Sequence, residues 1–341
     1  MAEPNRRTVT QDDSLPPVEP PSAAFLVQLF LVPAIIVAII VFVWLAFHWL
    51  AQLGNDPEGY VKTLRRNNEG RWQAALNLAN DLRGPGGERL KGDAALAGDL
   101  GDILADEIAS GRPAGGGFAG EQAQTLCVYL CRALGEFAVP EAAGPLVAAA
   151  KPGPDMQTPR AAVEALSVLA SNLAAAGREF AEPEAVVAAV GDAAASDDGP
   201  LRSAAAFTLG VLGGDASRGR LGQLLADASP DVRANAALGL ARQGRADAAV
   251  FGVLEEMLGG ADVEAAPGDE AAQARRYKRA LVVVNALKGV GMLVDATREA
   301  PPANIVALVT GLASDPIPDV RTSATALLGK IERVASAPKA P

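Results

Sequence analysis

The stretch Leu224-Leu225-Ala226-Asp227-Ala228-Ser229-Pro230-Asp231-Val232-Arg233-Ala234-Asn235-Ala236-Ala237-Leu238-Gly239-Leu240 closes one helix and opens another. Ser229 offers an N-cap, Pro230 stands at the first helical position, and Asp231 sits near the positive end of the helix dipole. From Val232 onward an apolar residue, an arginine, a run of small residues and a leucine follow in order. The same order recurs at Leu201-Arg202-Ser203-Ala204-Ala205-Ala206-Phe207-Thr208-Leu209 and at Val320-Arg321-Thr322-Ser323-Ala324-Thr325-Ala326-Leu327-Leu328. Weaker copies run through Arg71–Leu78, Cys127–Leu134, Pro159–Leu169 and Ala280–Leu287. The closing leucines fall at 78, 134, 166–169, 209, 240, 287 and 328, at intervals of about 31 to 56, which suits helix–turn–helix repeats with insertions.

Thr158-Pro159, Gly199-Pro200 and Asp315-Pro316 repeat the helix-entry chemistry. Partner helices are expected over Pro140–Lys151, Pro183–Ala195, Ser217–Asp227, Ala246–Leu258 and Pro302–Ser314, where apolar residues return every three or four positions, as at Val250, Leu254 and Leu258. No alternating β pattern with hairpin turns interrupts them, so the class is all-α. The stretch Leu224–Gly239 resembles the HEAT repeat, in the short bacterial form named after phycobilisome lyases. The resemblance extends over about residues 57–336 as architecture and is specific over roughly 197–244 and 312–333. It implies an α-solenoid of stacked helix pairs, and a ladder between repeats in which a turn aspartate meets an arginine early in the second helix. Here Asp227 precedes Arg233 by six residues and Asp315 precedes Arg321 by six, while Arg202 has Asp197 and Asp198, and Arg160 has Asp155. The first two repeats lack the pair. These arginines are read as framework, each paired with its aspartate and turn carbonyls, in preference to an anion-binding stripe.

Composition agrees with thin helical layers. Half of the 341 residues are hydrophobic but only 4% are aromatic, so the apolar content is mostly Ala, Leu and Val. The formal charge of −10 would repel a phosphate backbone, which excludes nucleic acid as a partner, and disfavours an anionic bilayer surface. Cys127 and Cys131 lie on one apolar helical face and read as small buried hydrophobes. With His48 the only histidine, no zinc set and no nucleophile–histidine–acid arrangement is available beyond the N-terminal region. The high Arg-to-Lys ratio with abundant Ala and Gly points to a bacterial source.

From Pro20 to Asn55 there is no charged side chain, and Phe25–Leu50 is apolar apart from Gln28 and His48. Crossing a bilayer takes roughly 20 helical residues, so residues 23–53 are expected to span it, with Pro33 as a kink and Trp44, His48 and Trp49 at the interface. A cleavable leader would have a shorter apolar run and a small-residue exit; this run ends in His48-Trp49-Leu50. Lys62, Arg65, Arg66 and Arg71 follow the span and only Arg6 and Arg7 precede it, which places the C-terminal part on the cytoplasmic side. The expected organisation is a disordered proline-rich tail over 1–22, the span over 23–53, about six or seven repeats over 54–336, and a tail over 337–341.

Other features argue for little chemistry. Gly115-Gly116-Gly117-Phe118-Ala119-Gly120 fits G-x-G-x-x-G, but a dinucleotide loop leaves a β-strand and here a helical segment, Asp93 to Ser110, precedes it. The acidic loop Gly259–Glu270, with Asp262, Glu264, Asp269 and Glu270, lacks calcium-loop spacing and reads as a solvated insertion, the kind that serves recognition in repeat proteins. Ala280–Val294 reads as a central helix of about 15 residues, and Trp72 and Tyr277 as core residues on apolar faces. No catalytic, cofactor or metal residues are expected. The function expected is a membrane-held scaffold for a protein partner. A bilin or other tetrapyrrole lyase, implied only by the family's name, and self-association are the alternatives.

Overall fold

The computed structural model describes residues 22–52, 57–66, 68, 70–260 and 269–336. The tail expected over 1–22 (Ser22 apart), Asp262 and Glu264 of the acidic loop, the tail 337–341, and the side chains of His48 and Trp49 lie outside what is described. The chain forms two units, residues 1–55 and 56–341, each taken by itself below.

The first unit holds α1, Ala23–Gln52, a 30-residue helix with Pro33 inside it. It is long and apolar enough to cross a membrane. Every described side chain from Ala24 to Phe47 is exposed.

The second unit is all-helical among the described residues. Its helices are α2 (Pro57–Leu64), α3 (Arg71–Arg83), α4 (Glu88–Lys91), α5 (Ala94–Ala109), α6 (Gly117–Gly135), α7 (Ala143–Ala149), α8 (Gln157–Ala175) and α9 (Pro183–Ala193). They continue as α10 (Gly199–Leu212), α11 (Gly214–Leu224), α12 (Pro230–Arg242), α13 (Ala248–Leu258), α14 (Glu270–Thr297), α15 (Ala303–Leu312) and α16 (Pro318–Ser336). They pack as seven pairs: α2 with α3, α5 with α6, α7 with α8, α9 with α10, α11 with α12, α13 with α14, and α15 with α16. The second helices then stack in one layer in chain order, α3 on α6, α8, α10, α12, α14 and α16, with the first helices on the other side. This is a HEAT-like α-solenoid. Each closing leucine lies on a second helix: Leu78, Leu134, Leu166, Leu169, Leu209 and Leu240 are fully buried and Leu287 nearly so, while Leu328 is partly buried and its neighbour Leu327 takes the core position.

Small residues set how near the layers come. A Cβ on Gly210 of α10 would stand 2.6 Å from the Cα of Gly239 on α12, so the two backbones touch where any side chain would part them. Leucines then fill the space on either side of each crossing, and one core runs unbroken from Leu64 to Ile331.

The turns correct one expectation. Ser229 makes no side-chain cap on α12. The turn aspartate acts instead: Asp227 Oδ1 accepts from the Ser229 amide at 2.8 Å, Asp315 Oδ1 from Ile317 at 2.8 Å, and Asp155 Oδ1 from Gln157 at 2.9 Å. A carboxylate two residues ahead folds the chain into an Asx turn, which a serine hydroxyl does more weakly. Asp198, Asp247 and Asp269 are true N-caps, accepting from Leu201, Val250 and Ala272.

A second correction concerns α14, which has 28 residues and begins ten positions before the expected Ala280. Its early residues, Glu270 to Arg279, are mostly strong helix formers, and Asp269 caps them. Their polarity hid the helix from an apolar-periodicity reading. Half of its most apolar window is buried, and it packs between α12 and α16 as a repeat helix.

Candidate interaction surface

The arginines singled out by their spacing are engaged, though not with the carboxylates of their own aspartates. Arg202 donates through Nη1 to the carbonyls of Ser196 and Asp197 in the turn before its helix. Its Nε and Nη2 reach forward to Asp227 of the next repeat at 2.9 and 3.0 Å, a two-pronged pair. Arg233 binds the carbonyls of Asp227 and Ala228 through Nη1, and the carboxylate of Glu256 on α13 through Nε and Nη2. Arg321 binds the Asp315 carbonyl at 2.7 Å, and the Asp315 carboxylate takes Arg279 from α14 at 2.8 Å. Arg202 and Arg233 therefore each use a turn aspartate's carbonyl and a carboxylate of the next repeat. The hydrogen bonds from Arg202 hold the Asp227 carboxyl below its ordinary value, and those to Asp227 push Arg202 further up.

Arg160 breaks the ladder: it pairs with Glu164 on its own helix at 3.0 Å. Asp155 takes an amide instead, from Gln124 Nε2 at 2.7 Å. The first joint does carry a rung. Arg71 Nε donates to the Leu64 carbonyl at 2.7 Å and its Nη1 to Glu107 of α5 at 2.8 Å. Arg112 also reaches Glu107, at 2.7 Å, and this carboxylate is only 1% exposed. Spacing could not reveal that rung, because Glu107 lies 36 residues beyond Arg71 and inside a helix.

Cys127 and Cys131 are free and buried, as expected of small core residues. Burial, with the nearby Glu107 and Asp155 charges, pushes the Cys127 thiol up to about 12, and burial also raises Cys131. Among the described residues no cluster of three His, Cys, Asp or Glu stands ready for a metal. The run Gly115–Gly120 follows a short 3-10 turn at Arg112–Ala114 and its last four residues open α6, so a helix and a turn, not a strand, precede it.

What remains exposed lies mainly on the second helices. Outside α1, the large hydrophobic side chains that stand exposed among the described residues are Ile108, Phe118, Val168, Phe207, Tyr277, Leu281 and Met292. All but Ile108 sit on α6, α8, α10 or α14. Trp72 is half-buried and stacks on Tyr129 at 6.2 Å, with Arg132 over the tyrosine ring; Arg242 lies over Phe207 in the same way. Tyr277 is not a core residue, being 68% exposed. Apolar periodicity identifies its stripe but not whether a neighbouring helix is long enough to cover it, and α14 begins earlier than its neighbours.

Grooves open along this layer. One of about 920 Å³ lies between α14 and the start of α16. Another of about 600 Å³ is lined by α8, α10 and α12, with Phe207, Arg160 and Asp231 on its walls. A smaller one, about 250 Å³, is bounded by Trp72, Phe118, Glu107 and Arg112.

No protein-family model and no curated protein sequence matches the chain. Among solved structures it is similar to the complex of CpcE and CpcF of phycocyanin lyase from Nostoc sp. PCC7120, at 17% identity over 82% of this chain and 94% of that one, with a TM-score of 0.47. Human deoxyhypusine hydroxylase is similar at 19% identity over 81% and 96%, with a TM-score of 0.32. The Escherichia coli protein YibA is similar at 14% identity over 82% and 93%, with a TM-score of 0.36. Identities this low carry no activity across, and the fold rests on the helix pairing of this chain itself.

Proposed function

We propose that this chain is a non-catalytic scaffold, held at a membrane by α1, whose layer of second helices binds a protein partner. The observation that carries the reading is the segregation of exposed apolar side chains onto that layer, with grooves between them. Exposed apolar side chains that border grooves, as Phe118, Phe207, Tyr277 and Leu281 do, are the pattern that marks interaction sites. The exposed α1 supports the anchor, since an apolar helix of 30 residues needs a covering. The excess of Lys and Arg after α1 supports a cytoplasmic array. A tether would raise the partner's effective concentration near other membrane proteins.

Two measurements test this. Alkaline extraction of membranes is expected to leave the full chain in the pellet and to release a variant lacking residues 23–52; a full chain that is itself released would end the anchor reading. Photocrosslinking from Phe207 and Val168 in native membranes is expected to trap a protein, and crosslinking from the exposed Glu184 of α9 is expected to trap far less. Equal capture from both layers would remove the claim that the second helices are the binding face.

A further inference from the structure

α1 runs unbroken through Pro33, and the Ser22 hydroxyl caps its first turn by accepting from the Phe25 amide at 3.2 Å. A proline has no N–H, so the Leu29 carbonyl four residues earlier loses its donor within the helix. In hydrocarbon such a carbonyl is costly to leave unpaired. Spanning helices that contain proline satisfy it with a Ser or Thr side chain, an ordered water or a neighbouring helix. α1 contains no Ser and no Thr.

One side-chain donor lies at the right depth. From Ala23 to Val43 the only polar side chain is that of Gln28, which is exposed. The next donor, the Trp44 indole, is 15 residues beyond Leu29, about 22 Å along the helix. Gln28 cannot serve the Leu29 carbonyl of its own helix, because side chains lean towards the helix N-terminus while carbonyls point towards the C-terminus. The amide that fits this carbonyl belongs to another molecule. A second copy inserted in the same direction brings Gln28 to that level.

The helix surface agrees. Leu29, Val32, Ile36, Ile39 and Val43, all exposed, recur at the alternating three- and four-residue spacing of a seam between parallel helices. Gln28 and Pro33 flank that seam on opposite sides, where residues of two paired helices meet across it. Building on the anchor reading, we infer that α1 pairs in parallel with α1 of a second copy, the Gln28 amide of each donating to the Leu29 carbonyl of the other. Two repeat arrays held together in this way bind a partner that engages both more tightly than either array alone.

The test is oxidative crosslinking of the full chain in phosphatidylcholine vesicles, at a dilution where pairing is incomplete. Cys127 and Cys131 are buried, so the parent supplies the background. Ile39→Cys, on the seam, is expected to crosslink strongly, and Val41→Cys, at nearly the same depth on the opposite face, to stay near background. Adding Gln28→Leu to Ile39→Cys is expected to weaken pairing about fivefold. Pro33→Ala returns an N–H to the Leu29 carbonyl, so in that background Gln28→Leu should change pairing less than twofold. Equal crosslinking from positions 39 and 41, or pairing unchanged by Gln28→Leu, overturns the inference. So does a Gln28→Leu effect of the same size with and without Pro33, which would leave the carbonyl to water. A chain that stays in the pellet on alkaline extraction but does not crosslink overturns the pairing and leaves the anchor intact, whereas a chain that is released ends both.

Discussion

The array divides into two halves that solve one problem with different residues. From α10 to α16 every joint is closed by an arginine of a second helix, bonded to a carboxylate of the following repeat: Arg202 to Asp227, Arg233 to Glu256, Arg279 to Asp315. From α3 to α10 the joints use Arg71 with Glu107, Gln124 with Asp155, and no such pair from Arg160. All need the same thing: turn carbonyls left over at a helix end require donors, and neighbouring turns require a fixed spacing. Glu107 and Glu256 show that the acceptor need not come from the turn, since both lie near the end of a first helix. The rung is therefore defined by position in space, and the Asp–Arg sequence offset is one way of reaching it.

The sharpest way to break the comparison is at Glu107. Two guanidinium groups converge on this buried carboxylate, so Glu107→Gln removes the counter-charge beside the largely buried Arg71 and a carboxylate that Arg112 shares. A loss of about 3 kcal/mol is expected, measured by urea unfolding of the detergent-solubilised chain. Because repeat arrays couple mainly to their nearest neighbours, the damage should stay local. Cys127 reports it: a buried thiol pushed up to about 12 stays protonated at pH 8, so iodoacetamide labelling requires opening of α6. Labelling is expected to accelerate strongly in Glu107→Gln and much less in a variant of the C-terminal half. Equal acceleration by both would mean that the two halves unfold as one.

Gly210→Val tests the C-terminal half by packing. The new side chain would be driven into the Gly239 backbone, which α10 and α12 can accommodate only by separating. Overpacking of this kind costs about 1–3 kcal/mol, and a variant as stable as the parent would show that the close crossing is dispensable.

Asp227→Asn tests the same half by charge and is expected to cost about 2 kcal/mol, because Arg202 loses its counter-charge at a largely buried site. Its pH dependence has a definite sign. Arg202 and the Ser229 amide lower the Asp227 pKa on folding, so the stabilisation is complete above the unfolded carboxylate value, about pH 4, and disappears as pH falls through the lowered value. The gap between parent and variant should therefore be constant from neutral pH down to about pH 5 and close in stronger acid. A gap that widened on acidification would contradict the pairing.

These residues also show what a sequence can carry. The repeats were legible wherever apolar spacing, small residues and a helix-entry turn coincided, so every second helix could be marked by its leucine. The rungs of the C-terminal half were half legible. The offset of Asp227 from Arg233 pointed to framework, but the bonded carboxylate belongs to the next repeat, which an offset within one repeat cannot express. Arg71 with Glu107, and Arg279 with Asp315, were invisible because each pair is 36 residues apart with nothing local to link it. Tyr277 was misread for a related reason: exposure depends on the lengths of two neighbouring helices, and Asp269 moved the start of one of them.

The smallest expected effect bears most directly on whether the ladder is broken between α8 and α10. Arg160 and Glu164 are both about half exposed and lie one turn apart on a helix, a pairing worth a few tenths of a kcal/mol. Arg160→Ala is accordingly expected to change stability by less than about 0.5 kcal/mol. That joint is held elsewhere, by the buried Thr208 hydroxyl donating to the Val163 carbonyl at 2.9 Å across the helix interface. Thr208→Val keeps the shape and removes the donor, and should cost about 1–2 kcal/mol. The order of the two variants is the measurement: if Arg160→Ala proved the more damaging, Arg160 would be a rung after all, and the two halves would differ only in sequence.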